Sequence, residues 1–277
     1  MRWLRFFAML AAVGTATGCT LDADGSGSLN VRSVFAQDRT TAEFRWDGPV
    51  APGGAVEIKG VNGAIEARLS TSGRVEVVAD RRGRRDDPER VRIEVIEYGG
   101  GVTICAVYPS DDAARPNECL PGSEGRMRVK DNDVKVDFAV RVPPGVTFEG
   151  RTVNGSVEAD GLESNVRLRT VNGSITFSTT GWAEATTVNG AIHGTLGRAD
   201  WPDDVSFETV NGSITLALPA DVNADFKAQT VNGRIRTDFP VTITGRVDLR
   251  RLSGTIGTGG RRLELSTVSG GIALERR

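Results

Sequence analysis

Residues 170–175 read TVNGSI, and nearly the same letters stand at 152–157 (TVNGSV), 187–192 (TVNGAI), 209–214 (TVNGSI) and 230–235 (TVNGRI). Another copy, VNGAI, begins at Val61, and degenerate copies LSG and VSG place Ser253 and Ser269 where the others carry Asn. Aligned on that position, Asn154, Asn172, Asn189, Asn211, Asn232, Ser253 and Ser269 follow one another at intervals of 18, 17, 22, 21, 21 and 16 residues, a mean of about 19. A fixed period near 20 is the signature of a repeat architecture.

Around each copy the apolar residues alternate. Val166, Leu168 and Thr170 precede the Asn-Gly, and Ile175 and Phe177 follow it; Val205, Phe207 and Thr209 are answered by Ile214, Leu216 and Leu218, and Phe226, Ala228 and Thr230 by Ile235 and Thr237. Period two means strand with one face buried, so each copy is two short strands joined at the Asn-Gly. That dipeptide is a strong hairpin signal, because both residues tolerate positive φ in a type I′ turn. A meander of separate hairpins is therefore one reading.

Three features favour one corner passed many times. Propeller blades need about 40 residues and four strands, twice what is present. Val171 and its equivalents set an apolar residue beside the inward Thr, as where a strand bends around a core. Identical residues at identical places also allow Asn amides to bond from one level to the next, as in stacked-strand ladders. The fold class expected is all-β, a single-stranded parallel β-solenoid or β-helix of about 20-residue repeats. Asn62, Asn154, Asn172, Asn189, Asn211 and Asn232 would form its corner ladder. Between Ser70 and Val146 the array is interrupted. VRIEVIEYGGGVTICAVYP reads as two strands about a Gly-rich turn, and RMRVKDNDVKVDFAVRVP as two more about Asp131-Asn132-Asp133. Residues 71–145 are thus expected as an antiparallel hairpin insertion near the N-terminal end.

The first residues, MRWLRFFAMLAAVGTATGC, carry two arginines, a short apolar run and small residues ending at Cys19, the pattern of a secretory signal. Ala16-Thr17-Gly18-Cys19 resembles the lipobox of bacterial lipoproteins, in which the cysteine is lipidated; an ordinary cleaved signal is the alternative. Residues 1–18 would be removed, 19–42 would form a flexible, polar tether, and 43–277 the folded domain. Lipidation at Cys19 would hold the chain on a membrane.

Removing Arg2 and Arg5 takes the 34 basic residues to 32 against 36 acidic ones, a net charge of −4. That balance argues against a nucleic-acid partner. In an exported chain Cys105 and Cys119 read as a disulfide closing the loop around YPSDDAARPNE. Two cysteines without a nearby histidine are too few for a metal site, and the single histidine, His193, has no nucleophile signature beside it. No cofactor is indicated. The mixed-sign run RRGRRDDPER at 81–90 reads as a solvated loop, with contact to an anionic polymer as the alternative. Trp201, Asp203 and Asp204, in the longest repeat, form a candidate contact surface for a sugar or partner, against the alternative that the indole packs under its own loop.

The recurrent V-N-G-x-I pattern behind an export signal resembles a bacterial β-strand-repeat family of unknown function whose members are labelled putative adhesins. The resemblance spans residues 43–277. It implies an extracytoplasmic, right-handed-type β-solenoid without established catalytic residues. The expected function is then a lipid-anchored, non-catalytic module of the cell envelope that binds an envelope protein or a glycan. A scaffold associating end to end through open strand edges and a polysaccharide-active β-helix enzyme are the alternatives. The enzyme would need converging carboxylates, whereas Asp203 and Asp204 are adjacent and would point to opposite faces of a strand.

Overall fold

The residues that alternate toward the interior before each corner include Val56 and Ile58, Val166 and Leu168, Val205 and Phe207, and Phe226 and Ala228. After the corner they include Ile65 and Ala67, Ile175 and Phe177, and Ile214 and Leu216. All are buried and belong to one hydrophobic cluster. The computed structural model describes residues 40–122, 125–199, 201–243 and 250–277. Residues 1–39, which hold the expected signal, Cys19 and most of the tether, lie outside the described residues. The first strand, Thr40–Gly48, begins inside the expected tether.

Each repeat supplies one strand to each of two sheets. Strands entering the corners, Ala55–Lys59, Thr147–Arg151, Val166–Arg169, Ala183–Thr186 and Val205–Glu208, pair in parallel in one sheet. Strands leaving them, Ile65–Leu69, Val157–Leu162, Ile175–Thr179, Ile192–Leu196 and Ile214–Leu218, pair in parallel in the other. Phe177 and Phe207, from opposite sheets, stack with ring centroids 5.7 Å apart. Gly194 leaves the space, since a Cβ there would lie 2.1 Å from the Phe177 ring.

The described strands form mixed sheets, and antiparallel strands are not confined to the expected insertion at 71–145. Val75–Gly83 runs antiparallel to both Thr40–Gly48 and Lys135–Val142 at one end, as does Arg92–Tyr98 to Gly101–Val107. At the other end Arg251–Ile256 is antiparallel to both Ala224–Asn232 and Val241–Ile243. A parallel stack ends in unpaired strand edges. Among the described residues these antiparallel additions cover both ends of the sheet of entering strands and one end of the other, whose far end is the parallel strand Ile235–Thr237.

Residues 71–145 are more than an insertion. Gly101–Val107 adds in parallel to Ala55–Lys59, and Lys135–Val142 adds in parallel to Ile65–Leu69, extending both sheets. The hairpin about Asp131-Asn132-Asp133 does not form. Both edges of Lys135–Val142 are taken by Ile65–Leu69 and Val75–Gly83, and the backbone of Arg128 is held instead by the Asn117 side chain.

Chain order and stacking order differ. The last corner strand, Arg262–Ser269, lies between Val205–Glu208 and Ala224–Asn232 and is parallel to both. Ile272–Arg276 likewise separates Ile214–Leu218 from Ile235–Thr237. The chain skips one level after Asn211, builds the outer level and its antiparallel cover, then returns to fill the slot. Ser253 is not a corner, because it lies within Arg251–Ile256, opposite Lys227 in antiparallel register.

Candidate functional site

The corner is built from four residues with distinct tasks. The threonines Thr152, Thr170, Thr187, Thr209, Thr267 and Thr230 are buried. Each donates its Oγ1 hydrogen to a glycine carbonyl on the adjacent level, at 3.1, 2.8, 2.9, 2.9, 2.8 and 2.9 Å in that order. A buried carbonyl without a partner is costly, so this bond fixes how each level seats on the next.

The glycines are there for close approach. A Cβ at Gly155, Gly173, Gly190 or Gly212 would lie 1.9 to 2.0 Å from the carbonyl oxygen of the corner glycine one level away. None of these four has φ in the left-handed region, and Asp131 is the one described non-glycine residue that does. The repeated Asn-Gly is therefore not a series of type I′ turns, and the hairpin alternative fails on this geometry. Corner backbones bridge in parallel from Asn62 through Asn154, Asn172, Asn189 and Asn211 to Ser269, and Ser269 pairs with Asn232.

The amides of Asn154, Asn172, Asn189 and Asn211 each donate Nδ2 to the Oδ1 of the preceding level's Asn, at 2.8 Å every time. These side chains are exposed, so water competes and each bond contributes about 0.5–1.5 kcal/mol. Ser269, the last of the repeated positions along the sequence, is interior to the stack, between Asn211 and Asn232. Asn232 holds the outermost corner.

Beside the amides runs a second row. Val153, Val171, Val188, Val210, Val268 and Val231 are 38 to 56% exposed, stacked in that order at about 4.8 Å per level. Their side chains point away from the core, whereas Val61 at the first corner is packed against it. Nothing in the alternation of the strands signalled this exposed row, because the corner interrupts the period.

Cys105 and Cys119 form the expected disulfide. Its loop folds over the outer face of a sheet. There Glu57, 2% exposed, accepts from Thr103 Oγ1 at 3.0 Å and Gly122 N at 2.9 Å, while Lys59 donates to the carbonyls of Leu120 and Gly122. Burial pushes the Lys59 ammonium below its ordinary pKa, against the pull of Glu57. The partners of this charged contact are more than 60 residues apart in the chain, so no local pattern signals it.

Trp201 is 5% exposed and part of the core, so it offers no contact surface. Asp203 and Asp204 are exposed, and Asp204 Oδ1 accepts from the Arg262 amide at 2.9 Å, pinning the start of the returning level. His193 is exposed on a strand. The structure brings the asparagines together and keeps the Trp201 group apart from them.

Among solved structures, the chain is similar to a "putative cell adhesion protein" from Clostridium sporogenes, at 12% identity and a TM-score of 0.44 over 85% of this chain and 100% of that one. It is also similar to a "putative adhesin" from Bacteroides fragilis, at 14% identity and a TM-score of 0.27 over 84% of this chain and 97% of that one. No curated protein matches it. The family model Toastrack DUF4097 matches residues 123–275, more than half of the 277-residue sequence, and the chain belongs to this β-strand-repeat family.

Proposed function

We propose that the protein is an exported, lipid-anchored binding module of the bacterial cell envelope, adhesin-like and non-catalytic, whose repeats act as one β-solenoid presenting the corner as a contact edge. The observation that carries this reading is the valine row. Thr, Asn and Gly each make a contact that holds the levels together, while the valines present six apolar side chains to solvent. A contiguous exposed apolar strip marks an interaction site, and the amide row beside it supplies polar contacts that give register. The disulfide supports an oxidising, extracytoplasmic setting, and the lipobox at Cys19 supports attachment.

The test uses the full chain in cells and on isolated envelopes. Cys19→Ala is expected to move the protein from the membrane to the soluble fraction. Val171→Ser, Val188→Ser and Val210→Ser together are expected to lower retention of the soluble form on envelopes about tenfold, a loss of ~1.4 kcal/mol, with the fold retained by circular dichroism. Unchanged retention would remove the corner from the binding surface, and unchanged membrane attachment would remove the anchor.

A further inference from the structure

We propose that the cleft between the 81–90 loop and the first corners is a binding site for an acidic polysaccharide. This rests on reading the chain as a binding module and names the ligand class. The cleft has a volume of about 850 Å³ and is lined by four cations, Arg82, Arg84, Arg85 and Lys135, against two carboxylates, Asp133 and Asp137, with Asn154 and Ser156 among the neutral lining residues, a size suited to a small ligand or a short stretch of polymer.

The run RRGRRDDPER, which reads as a solvated loop, is held firmly. At Gly83 a Cβ would lie 2.0 Å from the Asp86 carbonyl oxygen, so the chain turns tightly. The Asp133 carboxylate accepts from the amides of Arg85 and Asp86, both at 3.1 Å, and the Asp86 carboxylate accepts from the Asp133 amide at 2.8 Å. Asp87 accepts from the Glu89 amide at 2.9 Å and caps the short helical turn Pro88–Arg90. A loop fixed this way loses little freedom when a ligand binds.

Its cations are only partly neutralised. Arg82 pairs with Asp137 at 2.9 Å and Arg85 with Asp133 at 3.3 Å. Among the described residues neither Arg84 nor Lys135 has a carboxylate at ion-pair distance. Lys135 also stands directly opposite Arg82 in antiparallel register, and like charges in that position repel. An anion in the cleft would relieve the repulsion. The facing wall is polar, with the Asn154 amide and the Ser156 hydroxyl, while the Ala64 amide is taken by Asp137 Oδ1 at 2.8 Å, and no aromatic ring lines the cleft. That combination fits a sugar acid, which presents a carboxylate to the cations and hydroxyls to the amide and hydroxyl wall. A lipid tail or an aromatic peptide anchor finds no counterpart.

The test measures binding of the soluble chain to polygalacturonate, to neutral dextran and to phosphatidylglycerol vesicles. Polygalacturonate is expected to bind and to weaken as salt screens the cations, while dextran does not bind. Arg84→Glu and Lys135→Glu are each expected to weaken binding about tenfold. Arg236→Glu, an exposed arginine on the outermost level, leaves it unchanged. Lys135→Glu also replaces the repulsion from Arg82 by an attraction, so its melting temperature should hold or rise while binding falls, which separates loss of the site from loss of the fold. Equal binding by the variants, no binding of polygalacturonate, or vesicle binding as tight as polymer binding would each overturn the proposal. Envelope retention measured on the same preparation distinguishes this failure from failure of the binding-module reading.

Discussion

Gly190→Ala is expected to destabilise the domain by about 3 kcal/mol or more, at the upper end of over-packing costs. The new methyl group would sit 2.0 Å from the Gly173 carbonyl oxygen and 2.5 Å from its carbon, and backbone cannot rotate aside as a side chain can. Relief requires two levels to separate. That weakens the Thr187 bond to the same carbonyl and the Gly173 amide bond to the Asn189 carbonyl, now 3.0 Å. Gly99→Ala is the control. Its Cβ would meet nothing within 4 Å and its φ is not in the left-handed region, so its effect should stay within about 0.5 kcal/mol. Denaturant melts of the two variants give the comparison, and equal small losses would mean that the corners are not in contact.

Loss of the disulfide is the other large effect. Cys105 and Cys119 are 14 positions apart and close a loop worth about 3 kcal/mol in the chain-entropy model, so Cys105→Ala with Cys119→Ala should lower the melting temperature by roughly 6–12 °C. The damage should spread beyond the loop itself. Leu120 and Gly122 are where Lys59, Glu57 and Arg151 find their partners, and a freed loop leaves Glu57, which is buried, without the Gly122 amide. Hydrogen exchange at Gly122 should accelerate strongly in the double variant. Thermal stability and exchange both unchanged would mean that the Glu57 cluster holds the loop without the bridge.

The period-two pattern in the sequence located the core closely. Val166, Leu168, Phe177, Val205, Phe207, Ile214, Leu216, Phe226 and Ala228 are all buried, since a strand with one face against a core can satisfy only one alternation. The stacking of asparagines was legible for a related reason, because one residue repeated at one place is what stacking rewards. The order of levels was not. Corners with the same letters are interchangeable partners, so nothing local states that the Ser269 level inserts between those of Asn211 and Asn232. Ser253 could have been told from Ser269. Thr267 and Val268 precede Ser269, whereas Arg251 and Leu252 precede Ser253, and without the threonine there is no hydroxyl to bond the neighbouring glycine carbonyl. The fixed shape of the 83–87 loop was hidden because Asp133, which holds it, is 47 or 48 positions away in the chain.

The stacking order can be measured by cross-linking along the exposed valine row. The Ser269 amide donates to the Val210 carbonyl at 2.8 Å, which makes Val210 and Val268 immediate neighbours, with Val231 one level further on. Adjacent parallel levels are about 4.8 Å apart and two levels about 9.6 Å, and cysteines whose Cα atoms are more than about 7 Å apart do not bridge. Val210→Cys with Val268→Cys should therefore oxidise to a new disulfide, identified by mass spectrometry beside the native bridge, while Val210→Cys with Val231→Cys should remain as free thiols. A bridge in the second pair and none in the first would show levels stacked in chain order, and no bridge in either would show corners that do not stack at all.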